Sequence, residues 1–397
     1  MRLCHDLSML AKGLSFPMTL AAALVAAGCG GDAAPAWDVE AVAFEALEVF
    51  EVDGLASQTN VNPSGDRYVS FDGLAAFELC VVSLTADVDD RCTERDRSVW
   101  LRSLGWSDDG SQVVFTDDLT FRFDEPDIAR FDTTTGDIDI LTDDGSDVVP
   151  RRADPGGDAD LDIAPFFGPD GAVHFFRTKN LDRRFELYRL DESGDASPVG
   201  NLRLPAGTFI PSAPRPIGDN RWVAVFETIY GREASIGIID LDDESIETID
   251  LDERVALVDA MGTHVIIASV DDLNRFEPDP FSIVSLETGR DRRIDAGIDG
   301  DVRLTGAGFS PDGSFVTLIA TDRESNELIG LALDDGRLGD PVVLLTAVEI
   351  ASDLDLGDER SRWSGVGGSS ELIWAEDGSL TFAVSFEHLA VVQSSRS

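Results

Sequence analysis

Residues 308–320, Gly-Phe-Ser-Pro-Asp-Gly-Ser-Phe-Val-Thr-Leu-Ile-Ala, read as strand, tight turn and strand. Phe309 closes the first strand, Pro311-Asp312-Gly313 is turn chemistry, and Phe315-Val316 opens an apolar run of strand length. The chain repeats this device. Trp106-Ser107-Asp108-Asp109-Gly110, Phe167-Gly168-Pro169-Asp170-Gly171 and Trp374-Ala375-Glu376-Asp377-Gly378 each set an aromatic residue four positions before a Gly, with Asp directly before that Gly. An apolar run follows every one of them. Weaker copies ending at Gly65, Asn220 and Gly262 fill the gaps. Asn220 stands where the others have Gly, and Asn is the next-best residue for positive φ.

The turn positions 65, 110, 171, 220, 262, 313 and 378 are spaced by 45, 61, 49, 42, 51 and 65 residues. Within a unit, a third strand such as Glu186–Leu190 or Ile236–Ile239 follows a polar loop. A second turn comes next, such as Thr134-Thr135-Gly136-Asp137, and then a fourth strand, such as Ile138–Leu141 or Val342–Leu345. A period near the forties with several strands per unit is a propeller-type repeat. The expectation is an all-β, seven-bladed β-propeller of four-stranded blades. The last unit lacks a fourth strand, since only a short polar tail follows Leu389–Val392. An open edge would leave backbone unpaired. The loosely alternating stretch Val39–Val52 is therefore assigned as the N-terminal strand that closes the ring.

The Phe-Ser-Pro-Asp-Gly turn, its strand, and then Thr321-Asp322-Arg323-Glu324-Ser325-Asn326-Glu327-Leu328 resemble the repeat of TolB-like propellers, and that of the propeller domains of dipeptidyl-peptidase-type proteins. The resemblance spans residues 57–392. It implies a propeller that acts as a binding scaffold, and it carries over no catalytic residue.

The chain starts with Arg2 and Lys12, then a mostly apolar core from Leu14 to Ala27 that is too short to span a bilayer. It ends Leu24-Val25-Ala26-Ala27-Gly28-Cys29, which resembles a bacterial lipobox. The expected organisation is a signal peptide over 1–28, a lipidated Cys29 with its tether over 29–38, and the propeller over 39–397. The protein is then exported and held at an envelope membrane by its acyl chains. The tether Gly30–Ala36 spans at most about 25 Å.

The formal net charge is −45, and removal of residues 1–28 makes the chain slightly more acidic. So acidic a chain argues against nucleic acid as a partner and favours solubility or cationic partners. Beyond Lys12 the only lysine is Lys179. Cys80 and Cys92 remain after processing, and in an exported protein they are expected to form a disulfide across a hairpin.

In a propeller, the loops between second and third strands and those joining blades share one face. The longest connections, around 143–162 and 346–370, fall there. Candidate binding residues on that face are Arg151 and Arg152, the island Arg177, Lys179, Arg183 and Arg184, and the group Arg360, Arg362 and Trp363. Asp158, Asp160 and Asp162 alternate as calcium ligands can, but the segment lacks the loop length and terminal Glu of an EF-hand, and calcium is not favoured. No G-x-S-x-G, H-E-x-x-H or Cys-x-x-Cys occurs, and His174, His264 and His388 lie far apart on or beside strands. The leading reading is therefore a non-enzymatic scaffold that binds another protein, with no cofactor and no metal. A propeller hydrolase or lyase acting on a sugar or lactone is the alternative, and a purely structural envelope protein a third.

Overall fold

The structure is a computed structural model of the chain. It describes residue 39, residues 42–51 and, within 61–396, all but 72–77, 85–89, 95–97, 100–103, 119–125, 143–160, 179–183, 192, 219, 229–232, 271–279, 295–301, 322–325, 335, 347–369, 376–377 and 384–387.

Seven sheets follow one another along the chain, one per repeat. Blade three is the most regular: Leu161–Phe167, Val173–Thr178, Glu186–Leu190 and Ala196–Arg203 lie side by side in chain order. In blade four the innermost strand is split into Thr208–Phe209 and Arg215–Gly218, ahead of Arg221–Thr228, Ala234–Asp240 and Ser245–Leu251. Blade one has a three-stranded ladder, and its innermost strand is reduced to a bridge between Val61 and Tyr68. Blade seven takes its fourth strand from the other end of the chain. Val42–Glu51 pairs antiparallel with His388–Arg396, Val42 opposite Arg396 and Glu51 opposite His388.

The core explains why middle strands such as Arg221–Thr228 and Ala234–Asp240 are apolar at nearly every position, while outer strands such as Ala196–Arg203 are not. Side chains alternate across a strand, and a propeller blade is packed on both faces. In Arg221–Thr228, Val223 and Val225 face blade five, among Leu257, Val265 and Ile267. Trp222, Ala224 and Phe226 face blade three, among Phe185, Leu187 and Leu204. Seven buried clusters repeat this arrangement, one for each pair of neighbouring blades, and the last joins Tyr68 and Val82 of blade one to Ile373 and Val391 of blade seven. Burying one such aliphatic or Phe side chain contributes about 1.5–3 kcal/mol. A charge at any of these positions would open two blades rather than one.

All seven turn positions read from the sequence have positive φ, including Asn220 at 58°. The flanking side chains hold the turns. In blade six the Asp312 Oδ1 accepts from the Ser310 hydroxyl at 2.9 Å, the Ser314 N–H at 3.0 Å and the Ser314 hydroxyl at 2.8 Å, while Phe315 N–H donates to Ser310 Oγ at 3.1 Å. Ser107, Asp109 and Ser111 repeat the pattern in blade two. Those bonds hold the exposed Asp109 carboxyl down at about 2, the Ser111 N–H and hydroxyl acting most strongly.

One junction has no precedent in the sequence reading. Gly306 and Ala307, in the inner strand Arg303–Phe309, pair in parallel with Ser370 and Glu371 at the approach to blade seven. The small residues permit it: a Cβ on Gly308 would collide with the Leu372 carbonyl.

Candidate functional site

Strand direction fixes the two faces. Each second strand leaves its Gly turn and ends on the opposite side, so Thr178, Thr228, Ser269 and Thr321 mark the far face. Fourth strands end there and first strands begin there. The strands Ile138–Ile140 and Arg337–Thr346, which precede the segments joining blades two to three and six to seven, therefore end on it, and Leu161–Phe167 begins on it. Arg151, Arg152, Lys179, Arg183, Arg360, Arg362 and Trp363 lie outside the described residues, as does Cys29.

Of the basic island, Arg177 and Arg184 are described. Arg184 is exposed, just ahead of the strand Glu186–Leu190. Arg177 is not presented to solvent. Its Nε reaches Asp162 Oδ1 at 2.7 Å and its Nη2 reaches Oδ2 at 2.6 Å, with the Asp side chain 2% exposed. The guanidinium also lies 5.2 Å from the Phe175 ring centre and 5.3 Å from that of Tyr188. Two-point pairing and ring contact are what a planar guanidinium offers, and they commit Arg177 to the blade itself. Asp162 correspondingly belongs to the inner strand Leu161–Phe167, not to the acidic insertion where the sequence reading had put it. Both of its oxygens are engaged by Arg177. Asp158 and Asp160 lie outside the described residues.

Further polar groups gather where blade four meets blade five. Arg254 Nη2 lies 2.9 Å from Glu227 Oε2, and the Ser269 hydroxyl donates to Glu253 Oε2 at 2.9 Å. The sequence reading passed over Glu227. Its signal is there: it ends the apolar run Trp222–Phe226, and a carboxylate on a buried strand requires a partner. The same signal marks Asp259, inside the strand Val255–Met261 near the turn face. Its Oδ2 accepts from Phe309 N–H of blade six at 2.7 Å, its Oδ1 from Ala260 N–H at 2.8 Å, and Arg215 of blade four lies 3.5 Å away. Burial pushes this carboxyl up, against the opposing pull of Arg215 and the two N–H groups. The side chain keeps 21% of its surface, so the carboxylate is a staple across three blades that solvent still reaches.

His174 has a structural position. Its ring stacks on Phe166 at 5.4 Å, meets the Ala172 carbonyl through Nδ1 at 3.1 Å, and fills the space left by the missing side chain of Gly168. Burial lowers its pKa. Cys80 and Cys92 face each other across the third and fourth strands of blade one and are joined, with Cα atoms 4.0 Å apart. Cys92 lies within the strand Arg91–Glu94. Glu78 is close by, but neither sulfur is a free thiolate.

At the junction of blades three and four, the loop-rich face opens into a cleft of about 490 Å³. Phe226 and Ala234 line it within the blade, Pro205 lines it from the connection between the two blades, and Glu233, Asp250 and Asp252 are its acidic residues.

No protein-family model matches the chain, and no curated protein sequence does. Similar solved structures exist. TolB from Acinetobacter baumannii is 15% identical with a TM-score of 0.38, covering 76% of this chain and 67% of that one. The Cps50 (Swd1) β-propeller domain of Myceliophteria thermophila is 10% identical with a TM-score of 0.49, covering 89% and 99%. An oligogalacturonate lyase in complex with manganese is 13% identical with a TM-score of 0.44, covering 82% and 96%. The sheets and inter-blade clusters of the chain itself, not these likenesses, carry its assignment as a seven-bladed propeller.

Proposed function

We propose that this chain is an exported, lipid-anchored propeller that binds another protein through its loop-rich face. The observation that carries the reading is the contrast between faces. Among the described residues, the turns Ser107–Ser111, Asp132–Thr135 and Ser310–Ser314 are short and bonded by their own Ser, Thr and Asp side chains, and neighbouring blades add further contacts. Arg67, for example, reaches across from blade one to Thr133 Oγ1 of blade two at 2.5 Å. The longest connections all leave from the other face, and long loops on a rigid scaffold are where binding concentrates. Export and anchoring are supported by the N-terminal sequence ending at Cys29. A scaffold is favoured over a hydrolase because Asp162 and Glu227, two carboxylates at the loop-rich ends of blades three and four, are each held by an arginine.

The test is cross-linking in the native membrane, identification of the captured protein, and binding curves for variants. Arg183→Glu with Arg184→Glu, or Trp363→Ala, is expected to weaken binding by about 2 kcal/mol or more. The melting curve should stay nearly unchanged. Unaltered binding in both variants, with strong loss from substitutions at Thr134 or Asp137, would place recognition on the turn face instead. Cys29→Ser should release the protein in soluble, unacylated form; an unacylated N-terminus on the native protein would remove the anchor from the proposal.

A further inference from the structure

The outer hairpin of blade one brings three metal-binding side chains to one place. Glu78–Ser83 and Arg91–Glu94 pair antiparallel, with Cys80 opposite Cys92 and Glu78 opposite Glu94. Side chains two apart on a strand share a face, so Glu78, Cys80, Cys92 and Glu94 form a square on one side of the ladder. A carboxylate oxygen of Glu78 and the two sulfurs all lie within 4.8 Å of one another. Cys80 is 8% exposed and anchored among Val61, Tyr68, Val82 and Leu84, whereas Cys92, on the outermost strand, is exposed.

The two sulfurs are joined in the structure, and a disulfide is no metal ligand. A dithiol reductant changes that. Its thiolate attacks Sγ of the exposed Cys92, the S–S bond breaks, and Cys80 Sγ leaves as a thiolate. The reductant's second thiolate then displaces Cys92 Sγ from the mixed disulfide. Two electrons pass to the protein, and the reductant departs as its own disulfide. The hairpin has other ties that outlast the crosslink. The Thr93 hydroxyl, on the opposite side of the outer strand, donates to the Gly136 carbonyl of blade two. At the other end of the ladder, Asp90 Oδ1 accepts from Ser83 N–H at 3.0 Å. The sulfurs therefore stay opposite each other after they part.

Two thiolates and a carboxylate select their ion by softness and geometry. Thiolate favours zinc(II) over calcium or magnesium, which take oxygen ligands. Zinc bonds are about 2.3 Å to sulfur and about 2.0–2.2 Å to oxygen, so donors on one tetrahedral ion sit about 3.5–3.8 Å apart. Donors already within 4.8 Å reach that spacing by side-chain rotation, with no movement of the backbone. We propose that reduced blade one is a zinc(II) site held by Cys80, Cys92 and Glu78, sealed by the disulfide and opened by a dithiol. The fourth position falls beside the exposed Glu94. In an oxidising compartment the site stays sealed, and a supply of dithiol exchanges one crosslink of the hairpin for another. The site is independent of partner binding at the loop-rich face.

The test reduces the full chain with dithiothreitol, removes the reductant by anaerobic gel filtration and titrates cobalt(II), a spectroscopic stand-in for zinc. The reduced chain should take up a single cobalt ion with a thiolate-to-cobalt absorption band, and zinc(II) should bleach that band. The oxidised chain should show no band, because carboxylates elsewhere on a chain of net charge −45 bind cobalt without producing it. Glu78→Gln should weaken binding about tenfold, while Asp108→Asn, on the turn face, should stay within about twofold. Zinc should raise the melting temperature of the reduced chain and leave that of the oxidised chain unchanged. A reduced chain without the band would overturn the site. Equal affinity in Glu78→Gln would overturn it too, since the cysteines would then bind alone. Loss of the β-sheet circular dichroism on reduction would do the same, because the ladder would no longer hold the ligands together. Equal stabilisation of both redox forms by zinc would mean diffuse binding and would also overturn it.

Discussion

Asp259 is the residue whose replacement tests the ring most directly. Asp259→Ala removes the acceptor of Phe309 N–H at 2.7 Å and of Ala260 N–H at 2.8 Å, and it leaves Arg215 without its carboxylate. A hydrogen bond to a charged group is worth about 1.5–3 kcal/mol. The Arg215 contact adds little, because at 3.5 Å and with Arg215 31% exposed it is long and solvent-screened. The expected loss is about 2–3 kcal/mol near neutral pH. Asp259→Asn removes the charge and keeps one acceptor, but turns its NH2 towards the other N–H, so its loss should be about 1–2 kcal/mol, short of that of alanine. The pH dependence separates the two effects. Because the folded carboxyl is raised, Asp259 contributes most below its unfolded pKa, and that contribution is lost as pH rises through the folded value. The wild type should therefore lose stability relative to Asp259→Asn on going from acid towards neutral pH. Urea unfolding followed by tryptophan fluorescence at several pH values measures this. An alanine variant within about 0.5 kcal/mol of wild type, or an asparagine variant as damaged as alanine, would refute the staple.

Gly308→Ala should cost about 1–3 kcal/mol, because the added Cβ meets the Leu372 backbone and not a movable side chain; thermal melting against Gly207→Ala, where nothing lies within 4 Å, separates crowding from backbone strain. The depressed carboxyl of Asp109 contributes stability above its unfolded pKa and loses it as pH falls towards about 2, so Asp109→Asn should flatten the acid limb of the stability profile. Replacing both Cys80 and Cys92 by Ser should cost about 2–4 kcal/mol, and alkylation of the folded protein without reductant should label neither cysteine.

The propeller was legible because its turns demand particular residues. Positive φ admits Gly and, next, Asn, so six glycines and Asn220 located seven blades before any strand was assigned. The closing strand followed from the missing partner of His388–Arg396. What the sequence did not disclose is pairing between distant residues. Arg177 read as a surface cation because Asp162, fifteen residues earlier, looked like loop. Only a register that places Asp162 opposite Arg177 turns the two into a buried pair. The cleft was hidden for a similar reason, since its wall combines residues from three strands of blade four with Pro205 of the preceding connection. Gly237 read simply as part of the strand Ile236–Ile239, and its missing side chain leaves the space that the Phe226 ring fills.

The closing strand also gives the molecule a heading. Val42 lies opposite Arg396, and His388–Arg396 runs from the loop-rich face to the turn face. The chain thus enters the ring at the turn face, on the outer edge of blade seven. Because Val42 and Arg396 stand side by side at the end of that ladder, tension between the two strands would unzip it one residue pair at a time rather than shear it.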